Sequence, residues 1–251
     1  MHPARDGRSG RSPRCPRAAA VILGAGSGSR IGSVHNKVFL PLAGRRVISW
    51  SFRAMAQVSS IERFVMVIRD ADRAIAEQTV DREIDDIPVE IVIGGASRHE
   101  SELAALRHLE PEIRSGALDI VLVHDGARPL VSPALIRQLI DIAVAHGGVF
   151  PGLETDDIRY LHPDGSLDAA LVPRMIRAQT PQVFRGLPLL EAYEAAAGDG
   201  FVGTDTAACF QQYRQESLQY HPGDARNIKI TYPDDLFTAE EILRHAKFRI
   251  T

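Results

Sequence analysis

From residue 18 onward the chain alternates short, nearly unbroken apolar runs with longer stretches in which apolar side chains return every three or four positions. The runs at Ala18–Leu23, 63–68, Val89–Ile93 and 120–123 are too short for helices. Being apolar on both sides rather than alternating, they are predicted to be strands covered on both faces. Residues 47–57, 71–78, 98–109 and, later, 133–145 carry apolar side chains at helical spacing. Strands and helices taking turns at this interval imply right-handed crossovers, hence an α/β fold with a mostly parallel sheet flanked by helices.

The alternation breaks over about 154–175. There Pro163-Asp164-Gly165 marks a turn between two mixed stretches, 157–161 and 167–172, which predicts a protruding β-hairpin arm. A lone hairpin is marginally stable, so the arm is expected to pack on a second subunit. Helices are predicted near 187–197 and 205–213, a strand at Ile228-Lys229-Ile230, and a closing helix from 233 to about 246. The sequence shows no internal repeat.

Composition narrows the class. A chain of 251 residues that is 45% hydrophobic can fill the core of one large domain. Its first long apolar run, at 18–23, is far too short to span a bilayer, and residues 1–17 lack the apolar stretch of a secretory signal, so the expectation is a cytoplasmic protein with no membrane role. The two cysteines, Cys15 and Cys209, have no metal or disulfide spacing, and the nine histidines form no HxH or HxxxH pair. Residues 1–17 carry a net charge of +4 and are expected to be a disordered basic leader, leaving −7 on the body at 18–251, which argues against nucleic-acid binding.

In a parallel sheet ligands gather beyond the carboxyl ends of the strands, and the unusual residues of this chain fall there. The loop 24–32 follows the first predicted strand, Gly94-Gly95 the third, and His124-Asp125-Gly126-Ala127-Arg128-Pro129 the fourth. The first loop fits neither common phosphate signature. Counting from Gly24 puts Ser29 at the sixth position of a dinucleotide fingerprint, counting from Gly26 puts Ile31 there, and no lysine for a Walker A loop occurs before Lys37. What remains, Gly24-Ala25-Gly26-Ser27-Gly28-Ser29-Arg30, allows backbone amides to approach an anion closely while Arg30 and Lys37 add charge; the alternative is a tight turn with both cations solvated. Asp125 could hold a magnesium ion or a sugar hydroxyl and Arg128 a phosphate, unless the two form the ion pair of a capped turn. Lys229, between two isoleucines on a strand, would point to the face opposite both.

In order and approximate spacing, 23–31, Lys37, Gly94-Gly95 with Arg98 and Ser101, 124–129, Gln179-Thr180-Pro181-Gln182, Thr204-Asp205 and Asn227-Ile228-Lys229-Ile230-Thr231 resemble the 2-C-methyl-D-erythritol 4-phosphate cytidylyltransferases, over roughly residues 18–247. The related ribitol-5-phosphate cytidylyltransferases have similar motifs. The resemblance implies a Rossmann-like sheet of nucleotidyltransferase type, a homodimer, and Mg2+-dependent transfer of CMP from CTP to a polyol phosphate. It implies that Gly24, Ala25, Gly26 and Gly28 present amides to the triphosphate and that Gly95 and Ser101 recognise cytosine and hold its loop. By the same resemblance Arg30, Lys37 and Lys229 stabilise the α-phosphate. Asp125, Gly126 and Arg128 serve the ribose, metal and acceptor region, and Thr155, Arg174, Thr180 and Thr204 hold the polyol phosphate, in part across the dimer interface.

The chain departs from the family pattern in four places. Asn36 replaces the usual proline before Lys37, Ala96 a common acidic residue, and Asp156-Asp157 a basic one, while the segment at Arg174 is about two residues short. Most of these changes lie on the acceptor side. Methylerythritol 4-phosphate is the expected acceptor and ribitol 5-phosphate the alternative. A paralogue that binds nucleotide without turnover is a further reading, against which the presence of Arg30, Lys37 and Lys229 together speaks.

Overall fold

The computed structural model describes residues 15–26, 36–156, 162–164, 166, 175–214 and 216–247. In chain order the elements are β1 (Ala18–Leu23), β2 (Pro41–Leu42), β3 (Arg45–Arg46), α1 (Val47–Met55), β4 (Ile61–Ile68), α2 (Arg73–Glu83), β5 (Val89–Ile93), α3 (Arg98–Arg114) and β6 (Ile120–Asp125). They continue with α4 (Pro133–His146), β7 (Gly148–Thr155), β8 (Met175–Ala178), β9 (Gln182–Arg185), α5 (Gly186–Asp199), α6 (Thr206–Tyr213), β10 (Leu218–Pro222) and α7 (Pro233–Lys247).

The strands predicted from apolar runs, β6, β1, β4 and β5, form one half of a single sheet ordered β10-β7-β9-β6-β1-β4-β5, with β8 added against β7. The β1–β4, β1–β6, β4–β5 and β7–β10 pairs are parallel; β9 runs antiparallel between β6 and β7, and β8 antiparallel to β7. Successive side chains of β1 enter opposite cores, as strand geometry requires. Ala18, Ala20 and Ile22 meet Ile48 and Phe52 of α1 and Ile136 and Leu139 of α4. Ala19 and Val21 meet Leu106 of α3, Tyr193 of α5 and Phe210 of α6. Helices cover both faces, which is why these strands read as continuous apolar runs.

Local signals set the helix ends. Ser97 opens α3 with a reciprocal capping box to Glu100, and Ser132 caps α4 ahead of Pro133. Gly147, at φ 101°, ends α4 in a conformation that an L side chain rarely adopts. The Leu42-Ala43-Gly44-Arg45 hairpin, with φ of 48° and 87° at its two central residues, matches the handedness that joins β2 to β3.

Three findings differ from, or extend, the sequence expectation. Ile228-Lys229-Ile230 is not a sheet strand: instead of a ladder, the segment carries a backbone hydrogen bond from Ile230 N–H to Ala127 O (2.8 Å), in the turn beyond β6. The inward-outward alternation nevertheless survives. Ile230 and Ile228 pack with Leu236 and Ala239 of α7, while Lys229 faces outward. The strands β7, β9 and β10 carry no clear apolar signal and complete the sheet. Arg17, the last residue of the expected leader, is fixed at the head of β1, where its N–H donates to Asp119 Oδ2 (2.8 Å) and its carbonyl accepts from Asp119 N–H (2.9 Å).

The base of the expected arm is present as the β7–β8 pair, with Thr155 opposite Met175. At the expected turn Asp164 Oδ1 accepts hydrogen bonds from the N–H and hydroxyl of Ser166. The stretches 157–161 and 167–172, and leader residues 1–14, lie outside the described residues.

Candidate active site

Because β1, β4, β5 and β6 are parallel, their carboxyl ends open on one edge of the sheet, and backbone hydrogen bonds lock the turns that leave it. Gly24 N–H donates to Val67 O (2.6 Å), Gly94 N–H to Ile68 O (2.8 Å) and Gly126 N–H to Leu23 O (2.9 Å). Beyond this edge lies a cavity of about 650 Å³. Its walls come from Ala25 and Gly26 after β1, Lys37, the turn Gly94 to Ser97 with Arg98 and Ser101 of α3, Asp125 of β6, and Lys229.

Seven sequence-predicted residues therefore meet in one place: Ala25, Gly26, Lys37, Gly95, Ser101, Asp125 and Lys229. Gly24 and Gly126 stand just behind the wall. A Cβ on Gly126 would come within 2.9 Å of Leu23 O, so that position must stay bare for the two strand ends to approach. Gly95 is equally constrained, since a Cβ there would overlap the Glu100 side chain that closes the capping box. Ser101 is buried and donates its hydroxyl to Ser97 O (2.8 Å), which holds the first turn of α3 against Gly94.

Asp125 is the electrostatic centre. One carboxylate oxygen takes the guanidinium of Arg98, the other the ammonium of Lys229 at 2.8 Å, and Arg128 Nε lies 3.8 Å away. Burial alone would raise this carboxyl group, but Arg98 and then Lys229 outweigh it and hold it well below the usual carboxylate range. Arg98 is shared with a second buried acid: its Nε donates to Glu102 Oε1 (2.9 Å), which also accepts the Thr206 hydroxyl (2.7 Å), while Tyr193 donates to Glu102 Oε2. Burial dominates at Glu102 and raises its pKa.

Two predicted acceptor residues serve the frame of this cluster. Arg128 is buried, with Nη1 donating to Asn227 O (2.7 Å) and Nη2 directed at Ala178 O (3.4 Å). The Thr180 hydroxyl accepts Asp125 N–H (3.0 Å) and lies 3.1 Å from His124 Nδ1. Thr155 sits at the far end of β7 and Thr204 on the exposed turn before α6; neither lines the cavity. Gly28, Arg30 and Arg174 lie outside the described residues.

Sequence reasoning assigned no role to Arg98, Glu102, His124, Gln179 or Asn227, all of which hold the site together. Gln179 Nε2 donates to Asp224 O (2.9 Å) and Asn227 Nδ2 to Thr180 O (2.9 Å), tying the segment that carries Lys229 to the turn before β9. The i, i+4 spacing of Arg98 and Glu102 marks an ion pair but not its burial, since such pairs usually lie on solvated helix faces. Among the described residues no group of three histidine, cysteine or acidic side chains could hold a metal ion, and both oxygens of Asp125 already face cations.

The family model described as "IspD: 2-C-methyl-D-erythritol 4-phosphate cytidylyltransferase" matches residues 18–245. A protein of Thermobifida fusca (strain YX) named 2-C-methyl-D-erythritol 4-phosphate cytidylyltransferase is 38% identical over 237 residues, covering 91% of this chain and 94% of its own length. One of the same name from Bacillus pumilus (strain SAFR-032) is 33% identical, with coverage of 89% and 95%. Among solved structures, the 4-diphosphocytidyl-2C-methyl-D-erythritol synthase of Anaerococcus prevotii DSM 20548 matches with a TM-score of 0.77 at 27% identity, covering 92% of this chain and 100% of that one.

Proposed function

The chain belongs to the 2-C-methyl-D-erythritol 4-phosphate cytidylyltransferase family, and on that premise we propose how its own residues carry out the reaction. The enzyme transfers CMP from CTP to 2-C-methyl-D-erythritol 4-phosphate, giving the CDP-polyol and pyrophosphate for isoprenoid precursor synthesis. The observation that supports the assignment of roles is the convergence of Lys37, Lys229 and the Arg98–Asp125 pair on one cavity beside Ala25, Gly26 and Gly95.

Backbone amides of Ala25, Gly26 and Gly28 receive the triphosphate, whereas that of Gly24, expected from the sequence to join them, is given to Val67 O at 2.6 Å and fixes the start of the loop instead; Gly95 with Ser101 receives the base. Asp125 and Gly126 lie toward the ribose, and Arg30, Lys37 and Lys229 surround the α-phosphate. An oxygen of the acceptor phosphate attacks the α-phosphorus; the new P–O bond forms as the α–β bridging bond breaks and pyrophosphate departs. The attacking oxygen is already anionic near neutral pH, so no side chain need remove a proton. Catalysis then consists of aligning two polyanions and offsetting charge on the equatorial oxygens.

Nucleotidyl transfers generally use a divalent cation. Since Asp125 is committed to Arg98 and Lys229, Mg2+ is assigned to the phosphate oxygens of CTP, entering with the substrate. Thr155, Arg174 and Thr204 hold the acceptor phosphate, with Arg128 and Thr180 acting through the frame around Asp125. The expected arm between β7 and β8 is assigned to contact with a second subunit in a homodimer, and the cytoplasm is the assigned compartment.

Pyrophosphate release from CTP and Mg2+, measured with methylerythritol 4-phosphate and with ribitol 5-phosphate, tests this reading. Release with the first acceptor is expected. No release with either would overturn the enzyme assignment, and preference for ribitol phosphate would move it to the pentitol enzymes.

A further inference from the structure

Asn36, immediately before Lys37, is 1% exposed, and its carboxamide is fully used. One N–H of Nδ2 donates to Gly24 O and the other to Asp72 Oδ2 (2.9 Å), while Oδ1 accepts from Val38 N–H (3.4 Å). Each of these partners is itself fixed. Gly24 is pinned to the sheet through Val67 O at 2.6 Å. Asp72, directly before α2, is gripped by Arg69 through Nε (2.8 Å) and Nη2 (3.0 Å). A single side chain thus joins the end of β1, the base of α2 and the short 3-10 turn that begins at Lys37.

The chemistry admits few substitutes. An aspartate would set a second carboxylate against Asp72 and the Gly24 carbonyl with no proton to share, and an apolar residue would take away the side-chain donor to the Gly24 carbonyl in a buried place and leave Asp72 to Arg69 alone. Lys37 and Arg69 both line the cavity, one on each side of this link. A long, flexible ammonium stem delivers its charge to a defined point only if its backbone is held, and the Asn36 carboxamide supplies that hold.

We propose that Asn36 is a positioning residue for Lys37, fastening the lysine backbone to the end of β1 and the Asp72–Arg69 pair so that its ammonium meets the α-phosphate. The inference rests on the placement of Lys37 in the transfer reaction given above.

A double-mutant cycle on kcat tests it, using wild type, Asn36→Ala, Lys37→Ala and the double variant, with the thermal midpoint of each recorded. Asn36→Ala is expected to lower kcat roughly 10- to 100-fold. In the Lys37→Ala background the same change is expected to cost less than about twofold, because the group it positions is already gone. Equal losses in both backgrounds, or an unchanged kcat in Asn36→Ala, would overturn the role and leave Asn36 a stability residue. If Asn36→Ala does not fold, Asn36→Ser, which adds no charge beside Asp72 and is too short to join both acceptors, takes its place in the cycle with the same expected non-additivity. Absence of pyrophosphate release by the wild type would sink the transfer reading itself, whereas release with additive losses sinks the role of Asn36 alone.

Discussion

Asp125 has both oxygens on cations and a third cation at 3.8 Å, so removing Lys229 does not strand a buried negative charge: Arg98 remains on the other oxygen. Lys229→Ala is therefore expected to lose on the order of 10²-fold or more in turnover while its thermal midpoint stays close to that of wild type. A large drop in the midpoint would make Lys229 a structural residue instead. His124 behaves in the opposite way. Its Nε2 lies 3.0 Å from Arg128 O, an acceptor only, so that nitrogen carries the proton and Nδ1 accepts from Thr180. Burial pushes its pKa down to about 4 from an ordinary 6.5, and the unfolded chain thus binds the proton more readily. The stability this neutral histidine contributes is complete above about pH 6.5 and falls as pH drops toward 4, by about 2 kcal/mol between about pH 7 and pH 5. Urea unfolding at the two pH values measures that loss, and His124→Gln should abolish most of it. Lys229 could be read from its two isoleucine neighbours, a pattern that outlived the expected strand. Glu102 could not, since no sequence pattern tells that an acid four residues from an arginine will be 1% exposed.

The start of α3 forms one wall of the cavity, and its geometry depends on a cap rather than on bulk. Ser97→Ala removes the side chain that accepts Glu100 N–H at 3.1 Å and should cost about 1 kcal/mol of stability. Gly95→Ala should do more harm to nucleotide affinity than to stability, because the added carbon displaces Glu100 from the same cap in the wall proposed to receive the base; calorimetric titration with CTP distinguishes the two. Further along α3, Glu102 fastens the helix to Tyr193 of α5 and Thr206 of α6. Glu102→Ala should destabilise by about 3 kcal/mol, read as a lower urea midpoint, since it leaves part of a buried ionic network unpaired. The strands β1, β4 and β6 were legible because both their faces are covered, and the half-buried edge strand β5 because its own run is apolar. By contrast, β7 contains Gly148, Pro151 and Gly152, β9 has four residues, and β10 is half polar, so their pairing is decided by neighbours rather than by their own periodicity.

Taken whole, the chain has the α/β arrangement of the nucleotidyltransferases, two helical layers on a sheet whose parallel half gathers the reactive loops at one edge. That gathering follows from the order of strands and helices alone, and for this reason the cavity was legible in outline while its internal supports were not. The proposed homodimer predicts a sedimentation mass near twice 27.5 kDa; a monomer at assay concentration that still turned over would remove the arm from the reaction. The position of β9 bears on how such an experiment reads. The leg of the arm that returns to the sheet passes from β8 through Ala178, Gln179 and Thr180 into β9, and on the way it accepts from Arg128, braces the Lys229 segment and holds the amide of Asp125. Whatever grips the arm from outside therefore pulls on the same short piece of backbone that aims the cations. In the proposed dimer a substitution at 175–180 is expected to shift the site's own zero point along with any contact the arm makes, so assembly and turnover should fail together there rather than one at a time.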